Sequence, residues 1–207
     1  MNPIVQYHFD FGSPNCYIAH KLIPGIEERT GVTIDYLPVL LGGIFKLTNN
    51  QPPMIKFQDV KGKNAYMRRE MARFLKTHGL DRFRMNSNFP INTVQVMRGA
   101  IVAAEEDFLM PYVDVISAAI WEQDLKMDDP DVIAAALKAG GLDADLILRR
   151  IQEDGIKKQL VHNTSRAVEM GTFGCPFFYV GDEPYFGKDI LRDMEEEILR
   201  QKNQASA

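Results

Sequence analysis

Cysteine is nearly absent from this chain: 207 residues carry two, Cys16 and Cys175. Two thiols cannot build the disulfide framework of a small secreted protein, and they are too few for a structural zinc site. The four histidines, His8, His20, His78 and His162, lack metal-ligand spacing and are expected to be structural. Tryptophan occurs once, at Trp121, and is expected in the core with most of the methionines. No apolar run is long enough to cross a bilayer, and no basic segment leads into an apolar core at the start, so neither a membrane span nor a signal peptide is expected. Neither sign of charge dominates: 24 Lys and Arg against 28 Asp and Glu leave −4, a field that does not draw in nucleic acid. Internal repeats are missing as well. The expectation is a cytoplasmic, reducing location with no metal, no nucleic-acid partner and no membrane partner.

What is present is an ordered pattern of elements. The composition, 45% hydrophobic and 25% charged, suits a globular chain of one domain or one domain with a large insertion. Residues 4–11 form an apolar, aromatic run that reads as a buried strand. Pro14 then suits the first turn of a helix whose apolar face is Ile18, Leu22, Ile23 and Ile26, with Gly31 as its stop. Residues 32–37 alternate as a second strand, which completes a βαβ unit with a right-handed crossover. Residues 41–60, rich in Gly, Asn and Pro, are expected to be irregular. Helical spacing occupies 66–78, 93–105, 111–124, 131–139 and 144–169, with Gly140, Gly141 and Asp143 as stop and start signals. Strand character returns at 175–180 and 184–186 around a tight turn at Gly181 and Asp182, and a charged helix at 189–202 follows. Only 203–207 looks like a frayed tail. The fold class is therefore α/β, a thioredoxin-like βαβ…ββα arrangement. A thioredoxin-like domain is expected at 1–60 and 171–207, with an all-helical insertion at 61–170.

Chemistry concentrates where the first strand meets the first helix. Ser13-Pro14-Asn15-Cys16 is a C-x-x-C redox turn whose first cysteine is serine. Disulfide exchange needs two sulfurs there, so that activity is removed while a hydroxyl stays at a helix N-terminus. One account of Ser13 is a simple N-cap; the other is a donor to an external thiolate, favoured there by the helix dipole. No base stands beside it, so a nucleophilic serine is not expected. Cys175-Pro176 is expected to be a cis peptide whose exposed backbone could pair with an extended peptide, against the alternative of a proline that merely starts an edge strand. Both cysteines should lie near Ser13, Cys16 as a small buried hydrophobe; a disulfide between them is disfavoured in a reducing compartment. Gly187-Lys188-Asp189, ahead of the last helix, offers backbone N–H groups and a carboxylate that match an amino-acid α end, unless Asp189 is simply an N-cap. Around Asn50, the lysines Lys46, Lys61 and Lys63 could surround an anion, although loop lysines are usually just solvated.

Taken together, 9–14 (F-D-F-G-S-P), 50–53 (N-Q-P-P), 171–176 (G-T-F-G-C-P) and 186–189 (F-G-K-D) resemble the kappa-class glutathione transferases, and within them the 2-hydroxychromene-2-carboxylate isomerase group. The resemblance spans essentially the whole chain. It implies that glutathione is the cofactor and that Ser13 holds and activates its sulfur. It also implies that Asn50 and Lys63 (or Lys61) meet the glycyl side, and that Cys175 and Pro176 offer backbone to the cysteinyl part. Gly187, Lys188 and Asp189 would receive the γ-glutamyl end, where the family usually has serine in place of Lys188. Lys46 would meet the carboxylate of a small aromatic substrate. The implied activity is glutathione-dependent isomerisation of 2-hydroxychromene-2-carboxylate to trans-o-hydroxybenzylidenepyruvate in aromatic degradation, and the implied assembly is a homodimer. Two alternatives stand beside it: a kappa-like transferase or peroxidase acting on other electrophiles, and a non-catalytic thioredoxin-fold module that binds peptides.

Overall fold

A computed structural model describes residues 2–205. Four strands form one mixed sheet in the order β2-β1-β3-β4. β1 (Val5–Phe9) lies parallel to β2 (Ile34–Pro38) and antiparallel to β3 (Phe177–Val180), which pairs in turn with β4 (Glu183–Phe186). Because strand side chains alternate, β1 presents Tyr7 and Phe9 to one face and Gln6 and His8 to the other. On the first face Tyr7 stacks on Phe178, with ring centroids 4.7 Å apart, and meets Tyr36 edge-on at 4.9 Å. The same ring donates its hydroxyl hydrogen to the carbonyl of Cys16 in the helix α1 (Pro14–Thr30). The expected Gly31 stop is present: Gly31 adopts φ 65° and its N–H bonds the carbonyl of Glu27. His20 fastens α1 sideways, bonded to the Tyr36 hydroxyl and to Asp114, each at 2.9 Å.

The segment expected to be irregular contains two short helices, α2 (Leu41–Leu47) and α3 (Pro53–Lys56). α2 forms despite Gly42 and Gly43 because tertiary contacts hold it. The Asp10 carboxylate accepts the N–H of Leu41, and a Cβ on Gly43 would stand 3.0 Å from the Thr164 methyl. Small residues there permit a close approach that propensity alone does not reveal.

The helical block comprises α4 (Lys63–Thr77), α5 (Val94–Glu105), α6 (Leu109–Trp121), α7 (Pro130–Ala139), α8 (Ala144–Arg150) and α9 (Asp154–Glu169). The stretch expected as one helix over 144–169 is divided into α8 and α9. Its buried apolar residues, Ile147, Ile151, Ile156 and Leu160, explain the division. The step of five from Ile151 to Ile156 would turn a continuous helix well away from its buried face, so the chain breaks and re-aims. Asp143 caps α8 by accepting the N–H of Leu146. One hydrophobic core runs from the sheet through α1 into the helical block without interruption. α10 (Leu191–Gln204) packs on α1, where the exposed Arg29 pairs with Glu195. Among the described residues, no helix is long and apolar enough to cross a membrane.

His8 is buried on the second face of the sheet, its ring nitrogens 2.8 Å from the Thr172 hydroxyl and the Gln6 side-chain amide oxygen. Burial, with Arg166 adding to it, lowers its pKa to about 4. The unfolded chain takes up that proton near pH 6.5 and the folded chain does not, so stability is full above about 6.5 and falls as the pH drops towards 4. Urea unfolding should lose about 2–3 kcal/mol between pH 7 and pH 4.5 through this group. His8→Gln should flatten that part of the profile, and an unchanged profile would contradict the assignment.

Candidate functional site

The turn between β1 and α1 is built around Asp10, a charged residue at the end of an otherwise buried strand. Its carboxylate is buried and accepts two backbone N–H groups, Gly12 at 2.8 Å and Leu41 at 2.7 Å. Burial raises its pKa, and those two N–H bonds oppose the rise. A Cβ on Gly12 would stand 3.2 Å from the Thr93 methyl and 3.3 Å from Asp10 itself, so the turn closes tightly. Behind it the Trp121 indole donates to the carbonyl of Phe11 at 2.9 Å, and its ring stacks on Phe83. The helical block thereby grips the turn from the far side.

Ser13 occupies the N-cap position of α1 with extended backbone, yet its hydroxyl makes no capping bond. It is buried and donates instead to the carbonyl of Cys175 at 3.0 Å. No side-chain base takes its proton among the described residues. The Cys175-Pro176 peptide is cis, as expected. Both cysteines are free thiols and buried, and they are not joined. Burial, followed by the neighbouring Cys16 thiol, pushes the Cys175 thiol well above its ordinary range. Cys175 is therefore a poor nucleophile.

Hydrogen bonds extend this centre on both sides. The N–H of Gly187 donates to the carbonyl of Pro176 at 3.0 Å, which seats the Gly187-Lys188-Asp189 turn beside the cis peptide. On the other side the Asn50 amide donates to the carbonyl of Phe173 at 2.9 Å. Ser13, Asn50, Cys175, Pro176, Gly187, Lys188 and Asp189 thus belong to one connected surface. Asp189 is not an N-cap, since the helix begins beyond it with Ile190 in that position. Lys188 is buried, its ammonium donating to Glu70 and Asp189. Lys46 is exposed in the last turn of α2, and Lys63 opens α4 with its ammonium 5.3 Å from the Phe57 ring. Lys61 is exposed in the preceding turn. Among the described residues, no hydrogen bond or ion pair joins these three lysines to the connected surface.

Asp10, Thr93, Trp121 and Glu70 were not singled out as site residues by motif. Asp10 had a signal, a carboxylate inside an apolar run. Thr93, which precedes α5, and Glu70 and Trp121, on α4 and α6, are distant in sequence, and nothing local marks them. Chemically the surface offers a hydroxyl donor at a helix N-terminus, the Cys175 carbonyl beside the cis proline, an amide at Asn50 and a largely exposed carboxylate at Asp189. That donor set fits a short peptide carrying a thiol and a free amino-acid end. Among the described residues no group of three His, Cys, Asp or Glu could hold a metal ion.

A thioredoxin sheet, a cis proline and a serine in the redox turn define a class. Residues 4–199 match the family described as DSBA-like thioredoxin domain, and this chain belongs to that family. Within it the chain is 25% identical over 199 residues, 95% of each chain, to a protein of Pseudomonas putida named 2-hydroxychromene-2-carboxylate isomerase. It is 24% identical over 200 residues to glutathione S-transferase kappa 1 of Caenorhabditis elegans, covering 90% of this chain and 87% of that one. A solved 2-hydroxychromene-2-carboxylate isomerase structure superposes with a TM-score of 0.84 over 98% of both chains, at 25% identity. The expected fold and the resemblance to this enzyme group both hold.

Asp10 is the member of the site with the most to lose. Asp10→Ala would leave the N–H groups of Gly12 and Leu41 buried without an acceptor, costing about 3 kcal/mol or more. Asp10→Asn retains an acceptor and should cost less. Urea midpoints of the two variants measure the difference.

Proposed function

We propose that this protein is a glutathione-dependent isomerase acting on a 2-hydroxychromene-2-carboxylate or a closely related aromatic carboxylate. The observation that carries the proposal is the Ser13 hydroxyl, buried at a helix N-terminus and bonded across to Cys175 O beside the cis proline. The names of the two relatives described above point the same way. Bound glutathione would supply a thiolate able to add to a conjugated substrate and leave again, so that a former double bond rotates.

The chain's own residues would act by exchange of hydrogen bonds. An extended peptide beside Cys175 presents an N–H to the Cys175 carbonyl, in the manner of an added strand. That frees the Ser13 hydroxyl, which turns to donate to the sulfur. The dipole of α1 favours the same negative charge. Ser13 stabilises the thiolate before attack and after departure and forms no bond to carbon, which suits a hydroxyl with no base beside it. Asn50 and Lys63 would hold the carboxylate end of the peptide, and Asp189 its ammonium. Lys46, exposed at the end of α2, would meet the substrate carboxylate. Homodimer assembly and a cytoplasmic location complete the proposal.

A transferase acting on other electrophiles would use the same thiolate. A parallel assay with hydroxychromene carboxylate and a halonitroaromatic separates the two: isomerisation without loss of glutathione supports the first, conjugation the second. Ser13→Ala should lower turnover about 100-fold while glutathione affinity changes only a few-fold. Unchanged turnover would remove Ser13 from the chemistry. Glutathione at millimolar concentration should raise the melting temperature in proportion to the logarithm of its concentration. No shift would count against both enzymatic functions and leave the peptide-binding module.

A further inference from the structure

Lys188 departs from the serine that the family resemblance leads one to expect before Asp189, and the structure gives it an unusual setting. Its side chain is 3% exposed. The ammonium donates to Glu70 Oε1 at 2.7 Å and to Asp189 Oδ1 at 2.5 Å, and it lies 4.1 Å from the centre of the Phe74 ring. A lysine has three N–H donors, and two carboxylates and a π face use them all. Lys188 is therefore no free cation for a ligand carboxylate. Its charge is spent inside the protein.

Two carboxylates around one ammonium leave the cluster one negative charge in excess. Asp189 is 66% exposed and Glu70 31%, so that excess faces solvent while Lys188 lies beneath. Glu70 and Phe74 belong to α4, which has no fully buried residue of its own. Contact with Lys188 ties this helix to the turn that carries Asp189. The first residue of α4 is Lys63.

We propose that Glu70 and Lys188 are positioning residues for Asp189. Lys188 fixes the Asp189 carboxylate in one orientation, and Glu70 supplies the second negative charge that lets the cluster accept one ligand ammonium despite the buried lysine. The inference rests on the glutathione reading. Its particular content is that recognition of the amino end depends on a residue of α4, distant in sequence from the turn. Without Glu70, Lys188 and Asp189 neutralise each other and an ammonium gains little. Without Lys188, the two carboxylates repel and Asp189 loses its orientation.

The test compares binding of glutathione and of its analogue lacking the α-amino group, by calorimetry. In the wild type, glutathione should bind more tightly than the analogue. In Glu70→Gln and in Lys188→Met that preference should shrink about tenfold, while the analogue's own affinity moves little. Lys188→Arg, which keeps the charge, should recover part of it. As a readout that mere loosening would disturb, the pKa of the bound thiol, followed by thiolate ultraviolet absorbance, should stay at its wild-type value in all three. A preference unchanged in Glu70→Gln and Lys188→Met would overturn the inference while leaving the glutathione reading intact. Equal weakening of both ligands with a shifted thiol pKa would also overturn it. Failure of the wild type to bind either ligand would overturn the glutathione reading, and this inference with it.

Discussion

The constraint on which this site depends is the buried Asp10 carboxylate. It accepts one N–H from the turn that precedes Ser13 and one from the first residue of α2. A buried carboxylate is costly unless its oxygens are satisfied, and two backbone donors satisfy them here. The geometry that meets this requirement also fixes two segments relative to each other: the turn leading to Ser13, and the helix leading through Lys46 to Asn50. Trp121 supports the same turn from the helical block through Phe11. The insertion is thereby part of the site's architecture, and the uninterrupted core agrees with that.

Around this turn, three polar groups of the site are already paired within the protein. Ser13 bonds Cys175, Asn50 bonds Phe173, and Asp189 bonds Lys188. A ligand that binds there exchanges existing bonds for new ones, so the net gain per bond is modest. Selectivity then comes from matching several partners at once. A peptide with a backbone N–H, a thiol and an amino-acid end offers acceptors and donors in that combination. Of the chain's own thiols, Cys175 is raised by burial, and the two cysteines are not joined.

Much of the fold is legible in the sequence because its signals are local. The strand at 4–11, the proline opening α1, the glycine closing it, and the hairpin turn at Gly181 all depend on neighbours within a few residues. The two regions where the structure departs from these local signals are shaped by tertiary packing. α2 exists because Asp10 and the small contact at Gly43 hold it, and neither lies within the segment. The break between α8 and α9 follows from which residues the core buries, although the five-residue step from Ile151 to Ile156 is visible in the sequence to a reader who counts it.

For the site, residue types and their order establish the chemical inventory. A serine at the redox turn, a proline after Cys175 and an acid after Gly187 follow from residue types and order. Motif spacing was enough to suggest that they converge. Which of these groups are free depends on how the elements pack. The Ser13 hydroxyl could have capped its own helix but reaches the Cys175 carbonyl, because the sheet brings that carbonyl within 3.0 Å. The resemblance implies that Lys188 helps receive the γ-glutamyl end; packing of α4 against the turn buries it between two carboxylates and a ring. Hydrogen-bond partners more than a hundred residues apart in sequence are set by the approach of whole elements, and no local pattern encodes that distance.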